Sequence, residues 1–250
     1  MKTDKKIVYY AGCAAKYNDT EIGVATVQIL QKNGFSPVFP DQKCCAIPQL
    51  IYGNLRSFLK YAEFNVRSLA EADCDIVTAC PSCALAIKLE YPKLLRSREA
   101  KMVAQRTYDI MEYLAMLKDR NALNTEFHAI TSKVVYHAPC HLKVLGQEVI
   151  QDRLKLLKLI PGISVERIDR GCCGMGGTFG LKQANYSSSM TIGQALFEGI
   201  KELAPDIVAT DCPACKMQIE QGTVLMVTHP ILIVKQAYMD SLPQMETAKG

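Results

Sequence analysis

Ten of the chain's eleven cysteines follow one pattern that occurs twice. The cysteines stand at positions 13, 44, 45, 74, 80, 83, 140, 172, 173, 212 and 215. With Cys74 set aside, the remainder read C, CC, CxxC in two successive copies. Thirty residues separate Cys13 from Cys44 and 34 separate Cys45 from Cys80; in the second copy the gaps are 31 and 38. The flanks repeat too: KIVYYAGCAA answers KVVYHAPCHL, DCDIVTACPSCALAIKLE answers PDIVATDCPACKMQIE, and RTYDIMEYLA answers THPILIVKQA. The period of about 125 residues is far longer than the roughly 20 to 50 of a stacked solenoid. Each copy is therefore expected to be a domain, 1–125 and 126–250, with the polar stretch MLKDRNALNTEFHAITS as the connection.

Each copy alternates strand and helix patterns. A β-rich start (IVYYAG or VVYHAP) leads, in the first copy, into the amphipathic EIGVATVQILQKNG, closed by Gly34. A short strand (SPVFP or ISVERI) precedes each CC pair, and a helix follows (NLRSFLKYAEFNVRSLAEA or YSSSMTIGQALFEGIKELA). A third strand (DIVTA or DIVAT) then runs into CxxC. That order predicts an α/β fold of two homologous, Rossmann-like parallel sheets related by a pseudo-two-fold axis. Ligands of such sheets sit beyond the carboxyl ends of the strands. Cys13, Cys80, Cys140 and Cys212 all follow predicted strands, so five sulfurs per half are expected to converge.

Composition removes several function classes. At 250 residues and 49% hydrophobic the chain has material for one large core or two smaller ones. Its 29 basic and 25 acidic side chains leave only +4, with no long Lys/Arg run, so nucleic acid is not an expected partner. The basic lead MKTDKKIVYYAGCAAKYND has too short an apolar stretch for a secretory leader. VLMVTHPILIV is broken by His229 and Pro230 and falls short of a membrane span. A cytoplasmic protein, docking at most peripherally on the membrane's cytoplasmic face, is the expectation. In a reducing compartment this many cysteines suit metal ligation better than disulfides.

Thiolates select zinc, copper(I) or iron-sulfur clusters. A structural zinc takes four ligands, whereas each copy offers five, two of them adjacent, which favours a multi-iron group and leaves zinc in one site as the alternative. Thiol-disulfide exchange at CPSC and CPAC is disfavoured, because three further cysteines accompany each CxxC.

The pattern of a cysteine some thirty residues before CCG, with CxxC beyond it, resembles the CCG, or cysteine-rich, domain of iron-sulfur proteins, here twice over essentially the whole chain. Cys172, Cys173 and Gly174 complete CCG in the second copy; the first reads CCA, with Ala46 in the glycine's place, and its loading is accordingly the less secure expectation. VVYHAPCH, CCGMGGTFGLKQANY and TDCPACKMQIE are most similar to the carboxyl-terminal region of one branch of the family, the C-subunit of anaerobic glycerol-3-phosphate dehydrogenase. The B-subunit of heterodisulfide reductase and lactate-utilisation proteins are also similar. The resemblance implies two [4Fe-4S] clusters, of the noncubane type in heterodisulfide reductase. Their ligands would be Cys13, Cys44, Cys45, Cys80 and Cys83 in the first half, and Cys140, Cys172, Cys173, Cys212 and Cys215 in the second. It also implies electron passage from a flavoprotein dehydrogenase subunit toward a quinone or membrane subunit. The sequence has no CxxCxxCxxxCP run of the kind that branch carries, so either a separate ferredoxin-like iron-sulfur subunit is a partner and supplies those clusters, or the role differs. Two other activities come with the family: reduction of a disulfide at a cluster, as in heterodisulfide reductase, and service in a lactate or glycolate oxidation complex.

The remaining candidates are weighed individually. Cys74 has no counterpart in the second copy and reads as a structural thiol. His137 and His141 bracket Cys140 and can donate to cluster sulfur, relay a proton or simply pack. His229, just before Pro230, reads as the entry to a final helix. GCCGMGGTFG is not a nucleotide loop, so Gly174 and its neighbours are expected to let backbone amides approach sulfur and tune a cluster's potential.

Overall fold

The computed structural model describes residues 5–238. The first half opens with strand β1 (Lys5–Tyr9), helix α1 (Thr20–Lys32) and strand β2 (Phe35–Val38), followed by α2 (Ile47–Ile51) and the long α3 (Leu55–Ala70). Strand β3 (Ile76–Thr78) leads to α4 (Pro81–Leu85), a π-helical turn over Ala86–Glu90, α5 (Tyr91–Leu95) and α6 (Arg98–Gln105). Strand β4 (Thr107–Asp109) and α7 (Ile110–Asp119) end the half. The second half runs β5 (Ser132–His137), α8 (Cys140–Leu145), α9 (Gln147–Leu157), β6 (Ile163–Ile168) and α10 (Tyr186–Leu203). It continues with β7 (Ile207–Ala209), α11 (Pro213–Thr223), β8 (Val227–Thr228) and α12 (Pro230–Ala237).

The strands form two four-stranded sheets, ordered β2-β1-β3-β4 and β6-β5-β7-β8, with every pairing parallel. The α/β class and the twofold repeat of one sheet order are as the sequence predicts. Each sheet nevertheless has a fourth strand that the pattern hides, because β4 and β8 are only three and two residues long. The connection is also shorter than the polar composition suggests. Met116–Asp119 are the last turn of α7, whose apolar face includes the buried Leu117, so the link is residues 120–131.

Helix α1 packs on α12, and α7 packs on α9. Helices α1 and α9 each precede the second strand of their half, and α7 and α12 each close their half, so the two contacts are one contact repeated about a pseudo-two-fold axis. A single apolar core runs through this interface, joining Ile7, Tyr9, Ile29, Leu30 and Leu114 of the first half to Val134, Leu157, Ile231 and Val234 of the second. Inside it lies Arg153, 0% exposed, with Nη2 2.6 Å from Asp109 Oδ1 and Nε donating to Asp211 Oδ1 at 2.8 Å. The Tyr136 hydroxyl donates to the other Asp211 oxygen at 2.5 Å. Among the described residues no helix is long and apolar enough to cross a membrane.

Because the core is continuous, an interface residue should report on both halves at once. Ile231→Ala removes a fully buried side chain and is expected to cost about 2–5 kcal/mol. Urea unfolding followed by far-UV circular dichroism should show one transition moved to lower denaturant, not a lost second-half transition beside an intact first.

Candidate metal centres

All ten repeat cysteines stand at the carboxyl edges of the two sheets. In a parallel sheet every strand delivers its chain to the same edge, and Cys13, Cys80, Cys140 and Cys212 come within a few residues of β1, β3, β5 and β7. The CxxC motifs open helices. Cys80 and Cys212 are N-caps in extended conformation, and Pro81 and Pro213 take the first helical position, where a missing N–H costs nothing. Helix amides thus face the cysteine sulfurs: bonds from the Cys83 thiol and from the backbone N–H groups of Cys83 and Ser82 overcome burial and bring the Cys80 thiol down to about 7.

In the first half the thiols form a continuous chain. Cys13 neighbours Cys44, Cys44 neighbours Cys45, Cys45 neighbours Cys83, and Cys83 neighbours Cys80, each pair close enough to shift the other's ionisation. Thiols so crowded cannot all ionise. Donation from Cys13 and Cys45 drops Cys44 far below the ordinary thiol range, while Cys13, Cys45 and Cys83 are pushed up. In the second half Cys173 sulfur lies 3.3 Å from that of Cys215, and Cys172 and Cys212 extend the chain at either end. Cys173 is held down to about 3 by its two thiol neighbours. Cys140 stands slightly apart, within the field of Cys212 and Cys173 but with no thiol bonded to it among the described residues. In both halves the second cysteine of CC and the second of CxxC are buried, whereas Cys13, Cys140 and Cys172 reach the surface. Among the described residues no three His, Cys, Asp or Glu side chains close on the position of one metal ion.

The residue after each CC pair has positive φ: 63° at Ala46 and 90° at Gly174. That turn aims the backbone N–H at the first sulfur of the pair, Ala46 to Cys44 at 3.5 Å and Gly174 to Cys172 at 3.3 Å. The substitution the sequence flags therefore keeps the conformation and bears the left-handed strain, about 1–2 kcal/mol for a non-glycine residue. In the second half glycine is also required by space, since a Cβ on Gly174 would stand 2.0 Å from the Ser189 carbonyl oxygen on α10.

Several supporting residues carry no sequence signal. Asn65 on α3, fully buried, accepts from the Lys43 N–H at 2.8 Å and donates to the Cys44 carbonyl at 3.2 Å, while Tyr91 donates to the Cys45 carbonyl at 3.1 Å. Tyr10 donates to the Lys43 carbonyl at 2.5 Å. In the second half Ser189 donates to the Gly174 carbonyl at 2.8 Å. A Cβ on Gly12 would meet Cys83 sulfur at 2.8 Å, so glycine here lets the Cys13 loop approach. Of the histidines, His141 pairs with Ser82 Oγ across the interface at 2.8 Å, and His229 caps α12, as its place before Pro230 suggests. His137 is buried, with Nδ1 lacking a hydrogen-bond partner among the described residues; burial pulls it down to about 4, against the field of Cys173. Cys74 lies at the amino end of β3, six residues of chain from Cys80, about 20 Å if extended. It joins neither group.

The two turns predict opposite responses. Gly174→Ala combines a backbone clash with left-handed strain and is expected to cost about 1–3 kcal/mol or more, whereas Ala46→Gly should change stability by less than about 1 kcal/mol. Equilibrium urea unfolding of the two variants checks the pair.

Comparison with known proteins agrees with this layout. The chain matches the family described as Cysteine-rich domain over residues 7–88 and 134–220, one match per sheet. It is 32% identical over 237 residues to the C-subunit of anaerobic glycerol-3-phosphate dehydrogenase from Escherichia coli K12, covering 93% of this chain and 59% of that protein. It is 30% identical to lactate utilization protein A of Geobacillus thermodenitrificans, covering 92% and 95%. The D-subunit of the dihydromethanophenazine:CoB--CoM heterodisulfide reductase of Methanosarcina barkeri is 29% identical, with 86% and 54% covered. The chain thus spans a little over half of two of these relatives and nearly all of the third. With both copies of the motif placed at the carboxyl edges of matching sheets, the chain belongs to the cysteine-rich domain family, as a tandem pair.

Proposed function

We propose that this chain is an electron-transfer subunit whose two domains, 1–125 and 126–250, each hold one iron-sulfur cluster. The observation that carries the reading is the donor set: in each half five thiols gather at one sheet edge. Cys13, Cys44, Cys45, Cys80 and Cys83 would hold the first cluster, and Cys140, Cys172, Cys173, Cys212 and Cys215 the second. A bound [4Fe-4S] group, cubane or noncubane, would supply one-electron redox chemistry over a wide range of potential. The protein's part is to assemble the thiolates, present helix amides and the Ala46 and Gly174 N–H groups to sulfur, and exclude water from the inner pair of cysteines. The Nδ1 of buried His137, in the field of Cys173, has no hydrogen-bond partner among the described residues, and in the tautomer that carries its proton there it would donate to a cluster sulfide.

On this reading electrons pass from a flavoprotein dehydrogenase subunit, with a ferredoxin-like subunit between, toward a quinone at the cytoplasmic face of a membrane, a path that the similarity to the C-subunit of anaerobic glycerol-3-phosphate dehydrogenase supports. The sulfur-bearing edge is suited to such partners, since Ile51, Tyr52, Leu55, Phe179 and Leu181 are exposed there. Tyr52 and Thr178, 2.7 Å apart, join the two halves into one surface. A second reading, service in a lactate-oxidising system, is favoured by the near end-to-end match to lactate utilization protein A.

Iron, sulfide and zinc analysis of anaerobically purified protein, with a visible spectrum, tests the proposal. About eight irons and matching sulfide are expected for two [4Fe-4S] groups. About half that iron would confine the reading to one site, with Ala46 marking the first as the one lost. Zinc without iron would overturn it in favour of a structural module.

A further inference from the structure

Among the polar links that cross the interface between the halves, two end on the residue that leads into the other half's CxxC. His229, the N-cap of α12, accepts the Ile231 N–H at Nδ1 (3.0 Å), which leaves the ring proton on Nε2. Nε2 donates to the carbonyl oxygen of Ala79 at 2.9 Å, and Ala79 immediately precedes Cys80. Asp109, the N-cap of α7, accepts the Met111 N–H at 2.8 Å and lies 2.6 Å from Arg153 Nη2. Arg153 Nε donates to Asp211, and Asp211 immediately precedes Cys212. Asp109 and His229 hold equivalent places, each at the carboxyl end of the last strand of its sheet and capping the last helix of its half.

A helix cap needs one side-chain acceptor, and an exposed serine meets that need. These two caps are almost wholly buried, and each spends its second polar contact on the opposite half. Burying Asp109, Arg153 and Asp211 together also adds little net stability compared with an apolar core. Their arrangement therefore suggests a purpose other than holding the fold.

We propose that Asp109 and His229 are reciprocal positioning residues. Asp109, through Arg153 and Asp211, sets the geometry and charge around the second sulfur site. His229, through the Ala79 carbonyl, sets the first. This rests on the reading that both sites hold iron-sulfur clusters. Each half is then the outer shell of the other's site, and the environment of one cluster is written in the sequence of the opposite domain.

The test uses Asp109→Asn, which keeps an N-cap acceptor while removing one buried negative charge, and His229→Leu, which removes the donor to Ala79, with His229→Gln as the conservative control. Each is made in the full chain and in single-site backgrounds carrying Cys45→Ser or Cys173→Ser, so that the two signals are separately assigned. Midpoint potentials are read by electron paramagnetic resonance during redox titration. Asp109→Asn is expected to raise the second-site potential and leave the first unchanged. His229→Leu is expected to shift the first alone, and His229→Gln to restore it. Alkylation of the apo-protein, resolved by mass spectrometry, supplies an arm that needs no iron: Asp109→Asn should change the rate at Cys212 severalfold and not at Cys80, and His229→Leu the reverse. Shifts confined to the variant's own half, equal shifts in both, or none would overturn the proposal. A wild type without iron would sink the electron-transfer reading, and the alkylation pattern would still decide the positioning one.

Discussion

Every strand in both sheets runs in one direction, and most of what is distinctive here descends from that constraint. Parallel strands require a crossover after each one, so the chain leaves the sheet always at the carboxyl edge and returns by a helix. Cysteines placed just after strands are thereby collected from distant parts of the sequence without any special loop. The same constraint orders the helices. One that begins at the carboxyl edge points its amides at that edge, which is why Pro81 and Pro213 and the cysteines around them combine a helix start with a thiolate environment.

The halves solve the same local problem with different parts. Both need a left-handed residue after the cysteine pair to turn an amide onto sulfur. The second half uses Gly174 and packs α10 against it so closely that no side chain fits. The first half leaves room, takes Ala46, and braces the loop with Asn65, Tyr10 and Tyr91 instead. One loop is held by close contact with α10 and one hydrogen bond from Ser189, the other by several hydrogen bonds to its carbonyls. The strain at Ala46 is small beside the bonds that over-determine the turn.

The sequence shows its chemistry more clearly than its supports. Sulfur spacing, strand patterns and the longer helices α1, α3 and α10 are written in local periodicity, and the structure reproduces them. The strands β4 and β8 are too short to show alternation, and their place in the sheets is set by long-range pairing to β3 and β7. Asn65, Tyr91 and Ser189 belong to ordinary helix patterns, and only the folded chain reveals that their polar ends meet the cysteine loops. Arg153 is the extreme case. In sequence it is one more charge on an amphipathic helix; in the structure it lies at the centre of the interface, because the carboxylates that neutralise it, Asp109 and Asp211, come from elements 44 and 58 residues away. The turn before Cys13 is equally hidden, since nothing local tells that Gly12 must lie against Cys83.

The repeated helix contact, α1 on α12 and α7 on α9, is isologous in form: exchange the halves and each contact becomes the other. Two separate copies of one such domain would close the same surface as a homodimer, and every residue on it would then serve twice, in identical surroundings. Joining the copies in one chain lifts that obligation. The cap of the last helix is an acid in one half and a neutral imidazole in the other, an assignment that no symmetric dimer of a single sequence can make. Covalent linkage here is thus a licence for asymmetry, giving the two groups of thiols different surroundings inside a scaffold built from one design.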